Sequence, residues 1–366
     1  MAGLHQISYS IQRLLFPALE EELGALTPTQ MDLVRIIELA RIDRFMLPYL
    51  WLGIGCKPHH RLSLAKAFIA KAVWNLPTTR ALIDQLQGSA TLRRLCGWET
   101  AGDLPSESTF SRAFASFAAG KLPETIHAAL VCESFKDRLV GHVSRDSTAI
   151  EGRERAEPRA KAELSSPTHG RGRPRKDEPP RPLPPPSRLD LQYGRTLEDN
   201  LADLPRACNT GCKRDAKGFK TTWKGYKLHL DCIDGDIPVS AILTSASLHD
   251  SQVAIPLAQT TAGRIPRHLY DLMDSAYDCQ AIAAFSRQLG HVPLIDANPR
   301  RGAAREFSPA EQIRYRERST AERVNSNLKD NFGGRFVRVR GAMKIMCHLM
   351  FGVLALSAIQ LFRLLE

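Results

Sequence analysis

The chain has 366 residues and a net charge of +11, because 50 lysine and arginine residues outnumber 39 acidic residues. This length predicts two domains, and a hydrophobic fraction of 43% is sufficient for an ordinary buried core, which excludes a wholly disordered chain. The basic balance favours a polyanionic partner, of which nucleic acid is the commonest. A cationic surface that only maintains solubility is the alternative explanation.

The N-terminus carries no pattern typical of a secretory signal peptide. We therefore expect a cytoplasmic protein whose eight cysteines are reduced thiols.

The first part of the chain, residues 1–130, has apolar residues at helical spacing and is predicted to form a helical domain. Thr27 and Ser106 stand where helix N-caps are expected. Short helices with exposed Ser, Thr and Arg are typical of helix-turn-helix proteins, which would place Ser111 and Arg112 near a DNA groove. A plain helical bundle or a dimerisation domain fits the pattern equally well. We predict a domain for DNA binding or oligomerisation.

Strand-like and helical segments alternate in residues 136–366, which predicts an α/β or α+β catalytic domain. The predicted strands include 136–150, in which Asp146 stands at the end, a hairpin that turns at Asp234-Gly235, and a strand that ends at Asp274. Within this domain, residues 151–218 are predicted to be a basic, proline-rich insertion, disordered or extended, that does not join the core.

The nearly uncharged segment 345–362 is about as long as a membrane span. However, four residues interrupt its apolar character: His348, Gly352, Ser357 and Gln360. We therefore predict a buried C-terminal helix packed on a sheet, and no membrane partner.

One stripe of the helix predicted for residues 308–334 combines an acid, two cations and a tyrosine. Tyr315, Arg318, Glu322 and Lys329 follow one another at separations of three, four and seven residues, so they share a helix face. Glu322 would bind a metal ion, while Arg318 and Lys329 would contact phosphates. An exposed charged face with an Arg318–Glu322 pair is the alternative, because charge is plentiful along this helix.

Asp146 and Asp274 each follow an apolar strand-like run, and carboxylates at the ends of adjacent strands converge at one edge of a sheet. Oxygen ligands of this kind suit Mg²⁺ or Mn²⁺. Two such ions would activate a water and stabilise the leaving 3′ oxygen of a phosphodiester. Asp271 and Asp278 compete with Asp274 for this role, and Asp274 is preferred for its position at the strand end.

These motifs resemble the DDE transposases of bacterial insertion sequences of the IS-four type. The Y-x2-R-x3-E-x6-K signature of that family is matched by Tyr315, Arg318, Glu322 and Lys329. The contexts of the two aspartates, DSTAI and DSAYD, are also similar, and so are two intermediate blocks that contain His229, His249 and Asp250. The resemblance covers residues 136–366, and more loosely the helical part before them.

The resemblance implies an RNase H-like, retroviral-integrase-like catalytic fold of the α/β class, in which Asp146, Asp274 and Glu322 are the catalytic and metal-binding acids. It implies two Mg²⁺ or Mn²⁺ ions, hydrolysis at the ends of the element, and attack of the freed 3′-OH groups on target DNA. Tyr315, Arg318 and Lys329 would bind the terminal phosphates. The expected partners are double-stranded DNA (terminal inverted repeats and target) and a second copy of the chain in a homodimer on DNA.

The proline- and arginine-rich insertion contains Arg171-Gly172-Arg173-Pro174, which is similar to an AT-hook. Narrow A·T-rich minor grooves concentrate negative potential that attracts arginine, so Arg171 and Arg173 are further DNA-binding candidates. An ordinary basic loop would have the same composition.

Two other functions remain compatible with the sequence. One is a DNA-binding protein that derives from a transposase and has lost catalysis, against which the intact acids argue. The other is a nuclease of the same fold that never joins strands.

Overall fold

The computed structural model describes residues 2–46, 59–157, 186–214, 218–298 and 306–365. Arg171 and Arg173 lie outside these residues, so the AT-hook-like segment stays a prediction from sequence.

Helices form most of the described chain up to Phe135. A capping box between Thr27 and Gln30 starts α3, as the sequence predicted. Ser106 precedes α7 as expected, but its hydroxyl lies against the hydroxyls of Ser108 and Thr109, and it makes no cap to a backbone N–H. These helices are α1 (Ala2–Ser10), α2 (Phe16–Leu23), α3 (Pro28–Ala40), α4 (Arg61–Val73), α5 (Thr79–Gly88), α6 (Ala90–Cys96), α7 (Glu107–Ala119) and α8 (Leu122–Phe135).

A mixed sheet follows. Strand β3 (Lys220–Ile233) pairs antiparallel with β1 (Val140–Glu151), β2 (Asn209–Arg214) and β4 (Ile237–Ser245). Strand β5 (His268–Met273) runs parallel to β1, and β6 (Val292–Ile295) runs parallel to β5. The β3–β4 hairpin turns at Asp234-Gly235, as predicted, with Gly235 at a φ of +82°.

Seven further helices lie among and after these strands in the described residues. They are α9 (Arg188–Gln192), α10 (Leu197–Asp203), α11 (Ala254–Ala262), α12 (Gln280–Gln288), α13 (Pro309–Tyr315), α14 (Ser319–Asn331) and α15 (Ala342–Arg363). Helix α14 packs on β1 and β3, and α11 packs on β3 and β4. This mixed α/β architecture is consistent with the RNase H-like fold that the resemblance implied.

The predicted insertion differs from expectation where the structure describes it. Residues 188–214 form α9, α10 and the edge strand β2, although the composition of the insertion predicted a disordered or extended segment outside the core. Two buried amides explain the difference: Gln192 donates to the carbonyl oxygen of Gln252, and Asn200 donates to Gln259 on α11. Composition misses such contacts because polar side chains make them.

The apolar C-terminal helix α15 lies at the centre of the molecule. It contacts α3, α4, α7 and α8 on one side and β4 on the other, so helices and sheet share one hydrophobic core. Its Phe351 ring stacks on Phe68 of α4, with ring centroids 5.8 Å apart. The helix is long and apolar enough to cross a membrane, but 89% of its apolar window is buried inside the protein. Packing therefore accounts for its composition, as predicted.

Three of the residues that interrupt this apolar segment have specific partners. Nε2 of His348 lies 2.9 Å from the carbonyl oxygen of Gly333. Ser357 donates to the carbonyl oxygen of Pro238 at the start of β4, over 3.0 Å. Gly352 allows the backbone of Phe332 to approach so closely that a Cβ would overlap its carbonyl oxygen. The interruptions therefore mark places where α15 contacts neighbouring backbone.

We predict that Gly352→Ala lowers the free energy of unfolding by about 1–3 kcal/mol, because the methyl group forces two backbones apart. Chemical denaturation measures this change. Gly88→Ala is the matched control: it lies at the end of α5 with open space around it, and alanine there should cause no loss of stability. Equal stability changes in the two variants would contradict the close packing at Gly352.

Candidate active site

The parallel pairing of β1 with β5 determines where the two aspartates lie. The last paired residues are Arg145 and Met273, and Asp146 and Asp274 each come next. The two carboxylates therefore leave adjacent strands at the same level. Asp274 follows the end of β5, as predicted. The expectation that Asp146 ends its strand was wrong, because β1 continues to Glu151 through its antiparallel pairing with β3.

Alternation along β1 separates the two neighbouring charged residues. Asp146 faces α14, while Arg145 faces the opposite side of the sheet, where it forms a buried bidentate pair with Asp231 at 2.8 Å. Thr261 of α11 also donates to Asp231. The arginine next to Asp146 is thus fully engaged by another carboxylate and leaves Asp146 without that counterion.

Both aspartates of the pair hold their protons more tightly than usual. Burial, helped by the neighbouring charge of Asp274, raises the pKa of Asp146 to about 6. Burial and the charge of Asp250 raise the pKa of Asp274 as well. Like charges on partly buried carboxylates repel each other, and a cation between them would relieve this repulsion.

The competing acids Asp271 and Asp278 have other partners. Asp271 is buried and accepts hydrogen bonds from Ser286 (2.6 Å) and His268 (3.1 Å), which places it in the core. The Asp278 carboxylate accepts from the backbone N–H of Asn298. The charge of Asp250 raises the pKa of Asp274, and the charge of Asp274 in turn raises the pKa of Asp146.

The long helix predicted for residues 308–334 is interrupted by a 3₁₀ turn at Arg316–Arg318. Side-chain hydroxyls take the carbonyl groups that would continue the helix: Ser319 donates to Arg316, and Ser144 of β1 donates to Arg318 over 2.7 Å. Such bonds compete with the regular helical ladder. The interruption places the start of α14 beside Asp146. The helical spacing of the sequence did not predict this 3₁₀ turn.

Glu322 lies on α14 and is held by Arg318 rather than by the aspartate pair. The Arg318 guanidinium is 2.8 Å from a carboxylate oxygen of Glu322, whose side chain is 55% exposed. Arg318 also lies close enough to Asp274 to oppose the rise in its pKa. The positive charge of Arg318 therefore interacts with both Glu322 and Asp274.

Tyr315 and Lys329 complete the predicted stripe. The hydroxyl of Tyr315 donates to the carbonyl oxygen of Met273, so α13 is tied to the end of β5 beside Asp274. Burial raises the pKa of Tyr315 to about 12. Burial lowers the pKa of Lys329, and the neighbouring cations Arg335 and Lys213 add to this effect. Lys329 is thus part of a basic surface on the α14 side.

The intermediate blocks also contribute to this region. Lys227 pairs with Asp250 at 2.8 Å, and Nδ1 of buried His229 lies 3.9 Å from the same carboxylate. Burial alone would raise the pKa of Asp250, but His229 and Lys227 lower it. His249 is exposed and caps the short turn Asp250–Val253 through Ser251, so its contacts are those of a cap.

Sequence reasoning missed Asn325, which follows Glu322 by one helical turn. Its Nδ2 donates to Oδ2 of Asp146 over 3.1 Å. Its spacing from Glu322 places it beside the signature stripe, but an asparagine there carries no charge pattern that would single it out.

The donor chemistry of Asp146 and Asp274 fits a hard divalent ion. Mg²⁺ is commonly held by one or two carboxylates together with waters and substrate phosphates. Across the described ranges, no group of three or more His, Cys, Asp or Glu side chains is arranged to hold a metal ion together. Asp146 and Asp274 supply the two carboxylates that such an ion needs. Glu322 would add a third ligand only after its ion pair with Arg318 breaks.

Two family models match the chain. Residues 206–358 match a model described as Transposase DDE domain, and residues 29–116 match one described as Transposase domain (DUF772). The two matches support a DDE transposase. No curated protein matches the chain. The first range contains Asp274 and the whole stripe but not Asp146, so the place of Asp146 beside Asp274 rests on the strand register.

The raised pKa of Asp146 predicts a pH dependence of stability. The folded protein retains this proton to a higher pH than the unfolded chain, so the free energy of unfolding should fall as pH rises from 3.8 to about 6, and should stay lower above that. Asp146→Asn removes this loss. In EDTA at pH 8 it should exceed the wild type by roughly 1–3 kcal/mol in denaturation experiments, and near pH 4 the difference should vanish.

Asp84→Asn on the exposed face of α5 is the control, and it should change stability by less than about 0.5 kcal/mol at either pH. A stability gain for Asp146→Asn that is the same at pH 4 and pH 8 would contradict the assignment to titration of Asp146.

Proposed function

We propose that this protein is a DNA transposase of the IS-four type, which hydrolyses phosphodiesters at the ends of an insertion sequence and transfers the freed 3′-OH groups to target DNA. The observation that carries the proposal is the pair of partly buried aspartates, Asp146 and Asp274, at the same level on adjacent parallel strands. The two family matches support the coarser statement that the chain is a DDE transposase.

Asp146 and Asp274 would hold Mg²⁺ or Mn²⁺, and two ions are expected once Glu322 joins them. When bound, such ions supply positive charge that stabilises the oxygens of a phosphodiester during displacement. The chain itself contributes two carboxylates that are fixed by the sheet and a third on an exposed, movable side chain.

Arg318 would exchange partners when DNA binds. A guanidinium can hold a phosphate through two parallel hydrogen bonds, so a terminal phosphate competes with Glu322 for Arg318. The exchange releases the Glu322 carboxylate toward the aspartates at the time when substrate is present. Tyr315 keeps α13 against the end of β5 during this exchange, through its bond to Met273.

Double-stranded DNA is the proposed partner, bound by a homodimer that holds two element ends. Lys329 and its basic neighbours would contact the phosphate backbone beside the aspartates. The helical region before Phe135 would contribute DNA binding or oligomerisation.

A cleavage assay on linear duplexes that carry the terminal repeats flanking the gene tests the proposal. With Mg²⁺ the wild type should cut at the repeat ends, whereas Asp146→Ala, Asp274→Ala and Glu322→Ala should fall to the uncatalysed background, because each loses a carboxylate needed for the displacement. Glu317→Ala is the matched control, since Glu317 lies beside Arg318 on the same turn and should leave cleavage unchanged.

The outcomes separate the possible functions. Equal cleavage by the wild type and the three alanine variants would refute the proposal. End binding with no cutting in Mg²⁺ or Mn²⁺ would favour a non-catalytic DNA-binding protein. Cleavage without joining to a second duplex would indicate a nuclease.

We further predict that Lys329→Ala weakens end binding about tenfold and reduces the salt dependence of the binding constant by about one ion, because one phosphate contact is lost. Binding titrations at several salt concentrations measure both quantities. Lys136→Ala is the control, because exposed Lys136 lies before the start of β1, at the other end of the parallel β1–β5 pairing from Asp146, and should change neither. An unchanged salt dependence for Lys329→Ala would exclude this contact.

A further inference from the structure

Asn325 makes an unusual contact for a residue on a helix of the catalytic region. It is 6% exposed, and its Nδ2 donates to Oδ2 of Asp146 over 3.1 Å. Its own Oδ1 is buried and has no hydrogen-bond partner among the described residues. An unpaired buried acceptor lowers the stability of the folded protein. Asparagine is therefore unfavourable at this position if its side chain serves only for packing.

The direction of this amide follows from charge. The amide could be rotated so that Oδ1 faces Asp146, but two oxygens would then meet and an ionised carboxylate would repel the carbonyl dipole. Only the N–H can face an ionised Asp146. The unpaired position of Oδ1 is therefore a consequence of holding this carboxylate.

Two other carboxylates near the site are held by cations. Arg145 pairs with Asp231, and Lys227 pairs with Asp250, each at 2.8 Å. Asp146 is held instead by a neutral amide and a backbone N–H. A neutral donor fixes the direction of a carboxylate without cancelling its charge, whereas a cationic partner would compete with any ion that the site has to bind.

We propose that Asn325 is a positioning residue that orients the Asp146 carboxylate for cation binding while preserving its negative charge. This inference rests on the proposed function, since it assigns Asn325 to the site that binds the cation.

The experiment uses the full-length protein and Mn²⁺ alone as the probe. Asn325→Leu has a similar volume and removes both the donor and the unpaired acceptor. We expect its Mn²⁺ affinity, measured by calorimetry without DNA, to fall about 10–100-fold. In the cleavage assay kcat should fall by a similar factor while KM for end DNA stays unchanged. Its resistance to denaturant without metal should equal or exceed that of the wild type, which a purely structural residue would not give.

Asn327→Leu is the matched control, on the same helix two residues further along. Its side chain accepts a hydrogen bond from exposed Asn331, and the substitution should leave Mn²⁺ affinity and kcat unchanged. Asn325→Ala, which cannot clash, should show the same loss of Mn²⁺ affinity if leucine prevents folding.

The possible failures can be told apart. If both Asn325 variants bind Mn²⁺ as the wild type does while Asp146→Ala does not, the inference about Asn325 is wrong and the proposed function stands. If Asn325→Leu loses only stability, its role is structural and the inference fails. If the wild type neither binds Mn²⁺ nor cuts DNA, the proposed function fails and the inference fails with it.

Discussion

Burial of the C-terminal helix α15 is the constraint on which the rest of the described structure depends. The N-terminal helices and the sheet both bury apolar faces against it, so neither can exclude water from its core without this last segment of the chain. Polar contacts strengthen this packing. Ser357 of α15 and His127 of α8 both lie within hydrogen-bond distance of the carbonyl oxygen of Pro238, and so connect α15, α8 and β4.

The same core fixes the helix that carries Glu322 and Asn325. The segment after α14 is held by His348 through Gly333, by the close approach at Gly352, and by Asn75, which donates to the carbonyl oxygen of Asp330 and accepts from the N–H of Gly333. At its other end, Ser144 binds the carbonyl oxygen of Arg318. A helix held at both ends cannot shift along the sheet, so the distance between α14 and Asp146 is set by packing remote from the charges.

Charged side chains are paired differently on the two faces of the sheet. On one face Arg145 and Asp231 neutralise each other within a network that includes Thr261 and Ser240, and the charges are fully satisfied. On the other face burial raises the pKa values of Asp146 and Asp274, and within the described residues neither carboxylate forms an ion pair with a cation. Two partly buried carboxylates with raised pKa values lower the stability of the folded chain when no cation is bound. Such a pair is expected where a site binds a cation from solution.

The sequence by itself determined most of the helices and strands outside residues 188–214, the turn at Asp234-Gly235 and the burial of α15, because these depend on periodicity and turn residues along one chain segment. It also singled out Asp146 and Asp274 but misplaced the end of β1, since a strand's length depends on its partners. Only the tertiary structure decided that these two carboxylates lie at the same level, that Ser144 interrupts the helix before Glu322, that Arg318 holds Glu322, and that Asn325 holds Asp146. Each of those contacts joins residues far apart in the chain through strand register or side-chain direction, which local sequence patterns do not encode.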